Sequence, residues 1–298
     1  MNGSSNGAGA DREESGAEPE KVRLRLGGMA LRNGLLIHGP RAWAAAARTP
    51  DGTIEVAAGP KPSFAQGRLG ATPGLRGPLR MAEALAVVPL ARSRLRSARL
   101  PLEDRRVIAA AAGTMVAGGL ARRWRERATS TSGATLREAV VAVIGLVPAL
   151  AALRDRDLAA YHGVEHKAIG AYERGSLDPS IAPREHDRCG SNLIVPLLAF
   201  SVAGQVATER LSSNPGPLTR AAVGTGAVSA AVEVFAYAER NPDSSLGQAV
   251  HTVGHEIQRL LSTREPTAEQ LEVGVAALGA ALREDERLQA EARPADSV

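Results

Sequence analysis

The sequence predicts a mainly α protein that carries a small antiparallel β unit near its N-terminus. Three observations predict it. Beyond about residue 79 the apolar residues gather in long blocks, at 107–121, 139–153, 189–208 and 221–238, broken only by Glu233, as buried or membrane helices require. Between 21 and 60 apolar residues alternate with polar ones and turn dipeptides interrupt them, which is strand and hairpin patterning. Glycine and proline collect over 59–78, as they do in a connector.

Taken in order, residues 1–20 are rich in Gly, Ser, Asn and acids and contain almost no large apolar side chain; this composition predicts a disordered tail. Val22, Leu24 and Leu26 then alternate with Lys21, Arg23 and Arg25, a period of two that predicts a strand. Leu35, Leu36 and Ile37 lead into the Gly39-Pro40 turn. The runs 43–48 and 53–57 flank Thr49-Pro50-Asp51-Gly52, a strong hairpin signal. These make a β unit at 21–60. A Gly/Pro connector and a basic amphipathic helix are expected over 61–106. The core at 107–262 reads as two helical hairpins, 107–153 and 193–238, with a histidine-rich stretch and its loop between them. The last segment, 263–298, reads as an amphipathic helix and tail. Thr267 with Gln270 forms a capping box, and Leu271, Val275, Leu278 and Leu282 recur at helical spacing.

The apolar blocks suit two media. Arg92, Arg94, Arg96, Arg99, Arg105 and Arg106 precede the first, Arg122, Arg123, Arg125 and Arg127 follow it, and Arg154 and Arg156 follow the second. Long basic side chains at the ends of apolar runs suit a membrane interface. Against that, the first two blocks have 15 residues each, short of the ~20 that cross hydrocarbon, and the mean hydropathy is only −0.11. Composition alone leaves a membrane bundle and an alanine-packed soluble bundle both open. The net charge is +4 but aromatics are 3%, so the stacking platforms of a nucleic-acid binder are missing and no nucleic-acid partner is expected. Cys189 is the single cysteine. It excludes an intramolecular disulfide and suits a reducing cytosolic face or a ligand role. The polar, acidic start has no apolar stretch of the kind a signal peptide needs, so none is expected.

The densest chemistry lies at 161–173, YHGVEHKAIGAYE. On a helix His162 and His166 share one face, one turn apart. Glu165 completes H-x-x-E-H, the spacing in which two histidines hold zinc and a glutamate activates water. Glu173 follows His166 by seven residues, a rise of about 10 Å. That is too far to share one ion, which leaves Glu173 as a supporting group or part of another site. Glu233 is the one ionisable residue in its apolar block; such a group is either functional or paired inward, and it is a candidate extra ligand. His251 and His255, just before Glu256, read as a surface pair. No G-x-S-x-G elbow, P-loop or G-x-G-x-x-G fingerprint occurs.

Five segments in one order resemble the YqhQ-like family of bacterial proteins, a domain of unknown function described as predicted metal-dependent enzymes. The stretch from Gly27-Gly28 to Gly39-Pro40 is similar to that family's Gly-Gly…Arg-Gly-Pro opening, with Asn33 where the family has Glu and His38 where it has Arg. Pro73-Gly74-Leu75-Arg76-Gly77 resembles its Arg-Gly element. Residues 161–173 resemble its Tyr-His-Gly-Ala-Glu-His-Lys-Thr…Ala-Tyr-Glu segment, with Ala168 at the Thr and Gly170 at a polar position. HDRCGSNL at 186–193 looks like its His-Pro-Arg-Cys-Gly-Thr, and TREPTAEQLEV at 263–273 matches its closing element. The resemblance spans about 27–282. It implies a multi-span helical membrane bundle in the bacterial cytoplasmic (inner) membrane, in contact with membrane lipid; a cytoplasmic location is the alternative.

The loop at 186–190 supplies further metal-ligand candidates. His186 and Cys189 stand three apart, and with His162 and His166 they make a tetrahedral set for a divalent metal, zinc being expected. Four protein ligands would close the site. Three would leave room for water, with Glu165 as base. The leading expectation is therefore a membrane-associated metal-dependent hydrolase of unstated substrate. The alternatives are a scaffold or assembly factor with a structural metal site, and a small-solute or ion transporter that uses Glu233 and the histidines.

Overall fold

The computed structural model describes residues 23–64, 72, 74–123, 140–141, 143–212 and 215–292. The expected N-terminal tail, Arg125 and Arg127 lie outside the described residues. Four strands, β1 (Gly27–Leu31), β2 (Gly34–His38), β3 (Ala42–Arg48) and β4 (Ile54–Pro60), form an antiparallel sheet in the order β1-β2-β3-β4. The first strand starts later than the alternation around Val22, Leu24 and Leu26 suggests. Its ladder begins with Gly27 opposite His38, and β2 ends there before the Gly39-Pro40 turn, so residues before Gly27 have no strand to pair with. Leu26 is buried as a core side chain instead. The expected hairpin turn is present. Gly52 takes φ +90°, a conformation glycine adopts at little cost, and Thr49 N–H donates to Thr53 O at 2.9 Å.

The sheet is not an appendage; it is the middle of three layers. Successive side chains on a strand point to opposite faces, and here both faces are covered. Leu35, Ile37, Ala44 and Ala46 face two helices, α4 (Arg156–Glu173) and α8 (Ala268–Glu291), through Tyr161, Val164, Ala168, Val273, Ala277 and Leu278. Leu36, Trp43, Ala45 and Ala47 face α1 (Arg76–Arg94) through Val87 and Ala91. A strand buried on both sides reads as a continuous apolar run, which is why β3 is AWAAAAR. The C-terminal helix carries the expected capping box between Thr267 and Gln270. Its buried stripe is Val273, Ala277, Leu278 and Ala281, whereas Val275 points outward.

The remaining helices are α2 (Arg105–Arg123), α3 (Val147–Leu153), α5 (Ile194–Leu211), α6 (Pro217–Arg240) and α7 (Ser245–Ile257). α2 packs on α3, and α5 on α6, so both expected helical pairs occur. The chain is mainly helical with the expected N-terminal antiparallel sheet. Among the described residues two helices, Gly190–Thr208 and Pro217–Arg240, are long and apolar enough to cross a membrane, with mean hydropathy 1.4 and 17% of each window buried. α3 has seven residues, only about 10 Å of helix. α2 carries arginines at both ends of its 19 residues.

Candidate metal centre

Helix α4 carries the site. Asp155 caps it, accepting from the backbone N–H of Asp157 and Leu158. From 158 to 171 nearly every residue is buried, because the helix lies between the sheet, α8 and the loop that follows it. Polar side chains in that stretch therefore need partners, and the partners define the centre.

Both histidines of H-x-x-E-H are oriented from behind. His162 Nδ1 donates to Ser262 O at 2.8 Å, and His166 Nδ1 donates to Arg184 O at 2.6 Å. A ring that donates through Nδ1 presents the lone pair of Nε2, the arrangement a metal-ligating histidine adopts. Ser262 reaches this place because α7 ends in a π-helical turn, Gln258–Ser262, closed by Thr263 N–H to Gln258 O. The two rings meet edge-on with centroids 4.4 Å apart. His166 is 1% exposed, and its Nε2 has no hydrogen-bond partner.

Cys189 completes a trio with them. The candidate ligand atoms of His162, His166 and Cys189 all lie within 4.8 Å of one another. Cys189 Sγ is 3.4 Å from His162 Nε2, and a thiolate and an imidazole sharing one tetrahedral zinc would stand about 3.5 Å apart. The orphaned buried nitrogen of His166 and this spacing fit a divalent cation. Burial pushes the Cys189 thiol up to about 11, with the Glu165 carboxylate adding to the rise. Such a thiol is a poor nucleophile unless a cation lowers its pKa.

Glu165 sits between the histidines, its Oε2 3.8 Å from both Nε2 atoms. Burial raises its pKa, and His162 and His186 pull the other way. Burial first, and then His162, hold His166 well below the usual imidazole range. Gly28 of β1 makes room for the carboxylate: a Cβ there would stand 2.7 Å from Glu165 Cγ. The centre opens on a cleft of about 550 Å³ lined by Gly28, Met29, His38, His162, Glu165 and Cys189 among others. A larger groove lies elsewhere, along Val195, Leu198, Val202 and Val206 of α5; it is apolar and carries none of this chemistry.

The other candidates are placed differently. His186 Nδ1 accepts from Arg188 N–H at 3.2 Å and its Nε2 meets Glu173 Oε2 at 3.0 Å. Both of its nitrogens are engaged, so it stands beside the trio, its ring 5.7 Å from that of His166. Glu173 is correspondingly held by His186 and Arg188, a supporting place that its helical rise anticipates. Glu233 is bound by the guanidinium of Arg76, from the Arg-Gly element at the start of α1. Gly77 next to it lets α1 touch Val232. Asn33 also serves structure: its amide donates to Arg48 O and Ser97 O and accepts from Arg99 N–H. Sequence reasoning missed the carbonyls of Ser262 and Arg184, because a backbone acceptor has no sequence signal.

The class defined here is an α+β protein, mainly helical, with a His-His-Cys cluster buried between a small sheet and a loop. The chain belongs to the DUF1385 family, described as proteins of unknown function, whose model matches residues 125–284. That match is consistent with the YqhQ-like resemblance and begins after the sheet and α1. No curated protein and no solved structure matches the chain.

Proposed function

We propose that the protein is a metal-dependent hydrolase whose centre lies beside a membrane. One observation carries the metal reading: the buried His166 and the partly buried His162 turn their Nε2 lone pairs toward one thiol, with a buried glutamate between them. His162, His166 and Cys189 would hold the ion, most simply zinc, whose taste for nitrogen and sulfur matches this set. A divalent cation there would act as a Lewis acid and lower the pKa of a water beside it. Glu165 would take up the proton and pass it on, a task suited to a carboxyl whose pKa burial raises. His186 holds Glu173 in place, and the cleft gives a substrate access from the side of Met29 and His38. Three protein ligands leave one position for water, which supports catalysis over a closed structural site.

The tests separate these readings. Purified protein is expected to retain about one tightly held cation at this centre by elemental analysis. A hydroxamate should perturb the spectrum of the Co²⁺-substituted protein, because it needs an open coordination position. No change would leave the structural, scaffold reading. Glu165→Gln should keep the ion and lower turnover by about 10²–10⁴-fold, the usual worth of a general base; a mutant that loses the ion instead would make Glu165 a ligand.

The membrane part rests on the two apolar helices, of which so little is buried. The chain is expected to stay with membranes through an alkaline wash and to leave them in detergent. Release by alkali would end this part of the proposal and leave the metal part standing.

A further inference from the structure

We propose that the free edge of β1 binds an extended peptide as an added strand, which makes a polypeptide the substrate class; this rests on the hydrolase reading above. β1 has β2 on one side only, since the sheet runs β1-β2-β3-β4. Arg32 and Asn33 form the loop between these strands, with Leu31 opposite Gly34. A two-residue hairpin loop closes on a hydrogen-bonded pair, and along an antiparallel ladder such pairs alternate with non-bonded ones. Gly27, Met29 and Leu31 therefore direct their N–H and C=O to β2, whereas Gly28 and Ala30 turn theirs to the free edge. The next outward donor in this phase, Arg32 N–H, is taken by Arg99 O at 2.9 Å. Among the described residues no such backbone partner stands on Gly28 or Ala30.

An unpaired edge is a template for another chain, and proteins ordinarily blunt it with charge, proline or a covering group. The far edge of this sheet is treated so: β4 carries Glu55 and ends at Pro60, and Arg94 donates to its Ala58 O at 2.9 Å. β1, GGMAL, has neither charge nor proline, and Gly27 to Ala30 are only partly buried. These residues line the same cleft of about 550 Å³ on which the metal centre opens. Edge and centre adjoin at Gly28, where a Cβ would lie 2.8 Å from Glu165 Oε1. A strand laid beside β1, about 4.8 Å away, lies in this cleft, and its residue opposite Gly28 stands next to the Glu165 carboxylate. In strand addition the main-chain bonds give affinity and the pockets for alternate side chains give specificity. Ala149, Ala152 and Ile194 also line the cleft, which suits small or apolar side chains. For hydrolysis, water adds to the amide carbonyl carbon and the C–N bond breaks. The proton that Glu165 takes from the water goes to the departing nitrogen, leaving an acid and an amine.

The probes are fluorescein-labelled octapeptides in which Ala alternates with Leu, Val or Phe. Their binding is read by fluorescence anisotropy on the purified full-length Glu165→Gln protein, so that turnover does not consume them. At least one should bind saturably. N-methylating every second amide in one register should abolish that binding, and in the other register should leave it near the parent value, because alternate residues of an added strand face its neighbour. Ala30→Pro removes an N–H that β2 does not use, the placement an edge strand tolerates. Circular dichroism and bound metal should stay native while peptide binding falls at least about tenfold, the order of one lost hydrogen bond. If that variant misfolds, the two N-methyl registers decide alone. Failure of every probe to bind, equal effects of the two registers, or a folded Ala30→Pro that binds like its parent would overturn the proposal. Register-dependent binding that the wild type never follows with cleavage would uphold the edge as a peptide site and remove the hydrolase reading. Turnover of p-nitrophenyl esters with no peptide bound would keep the hydrolase and remove the peptide.

Discussion

His166→Ala is expected to abolish tight binding at the Cys189 centre. Structural zinc sites hold their ion with about 10–16 kcal/mol; shared over three or four ligands this is about 3–4 kcal/mol each, or a hundred- to thousandfold in affinity. His166 is the ligand with the least room for compromise. It is 1% exposed, its Nδ1 is fixed on Arg184 O, and no solvent can replace its Nε2. The pH dependence should identify the partner. Cys189, pushed up to about 11 by burial, must lose a proton to ligate, so at any pH well below that value each bound ion releases it. Affinity at this centre should rise about tenfold per pH unit between about pH 6 and 8 on account of the thiol. His166, held below its ordinary range, is already neutral there and adds no proton. Cys189→Ser should therefore lower both the affinity and the slope by about one proton, measured by competition with a chromophoric chelator. Equal slopes in the two proteins would remove Cys189 from the centre.

The outline of this site was legible because its signals are local. The i, i+4 spacing of His162 and His166 requires only a helix, and α4 is one. The rise per residue places Glu173 about two turns from His166, and there it meets His186 and Arg188. Cys189 was legible as a candidate because the loop after α4 is short enough to return. The assignment of His186 to Glu173 was not, since it depends on which nitrogen meets Arg188 N–H, a choice made by backbone geometry. In the fold, the turn at Gly52 and the cap at Thr267 follow from residue chemistry and appear where expected. The central place of the sheet was obscured by β3 itself: five alanines among seven residues carry almost no period. His251 and His255 read as a surface pair because no segment of the resembled family corresponds to them, and their ion-pair partner, Asp187, lies more than sixty positions away.

Gly163→Ala should damage stability and the centre together, although one methyl group is all it adds. Gly163 lies between His162 and Glu165 on α4, where the segment after the π-helical turn crosses the helix. A Cβ there would stand 2.3 Å from Arg264 O. That carbonyl is backbone and cannot rotate aside like a side-chain tip, and the crossing is pinned on both flanks. Arg264 N–H donates to Ala159 O at 2.9 Å, and Lys167 holds Glu265 at 2.9 Å. The segment must therefore move as a unit, which places the cost near the top of the range for overpacking, about 3 kcal/mol, or a thermal midpoint lower by about 6–12 °C. Ser262 O, two residues before Arg264, would move with it and release His162 Nδ1. Loss of such an orienting bond costs about 10–100-fold in metal affinity. Gly190→Ala is the control. It adjoins Cys189, but a Cβ there meets nothing within 4 Å, so stability and affinity should both stay near wild type. If Gly163→Ala melts and binds like Gly190→Ala, the segment that orients His162 yields easily and the carbonyl does not hold the ring.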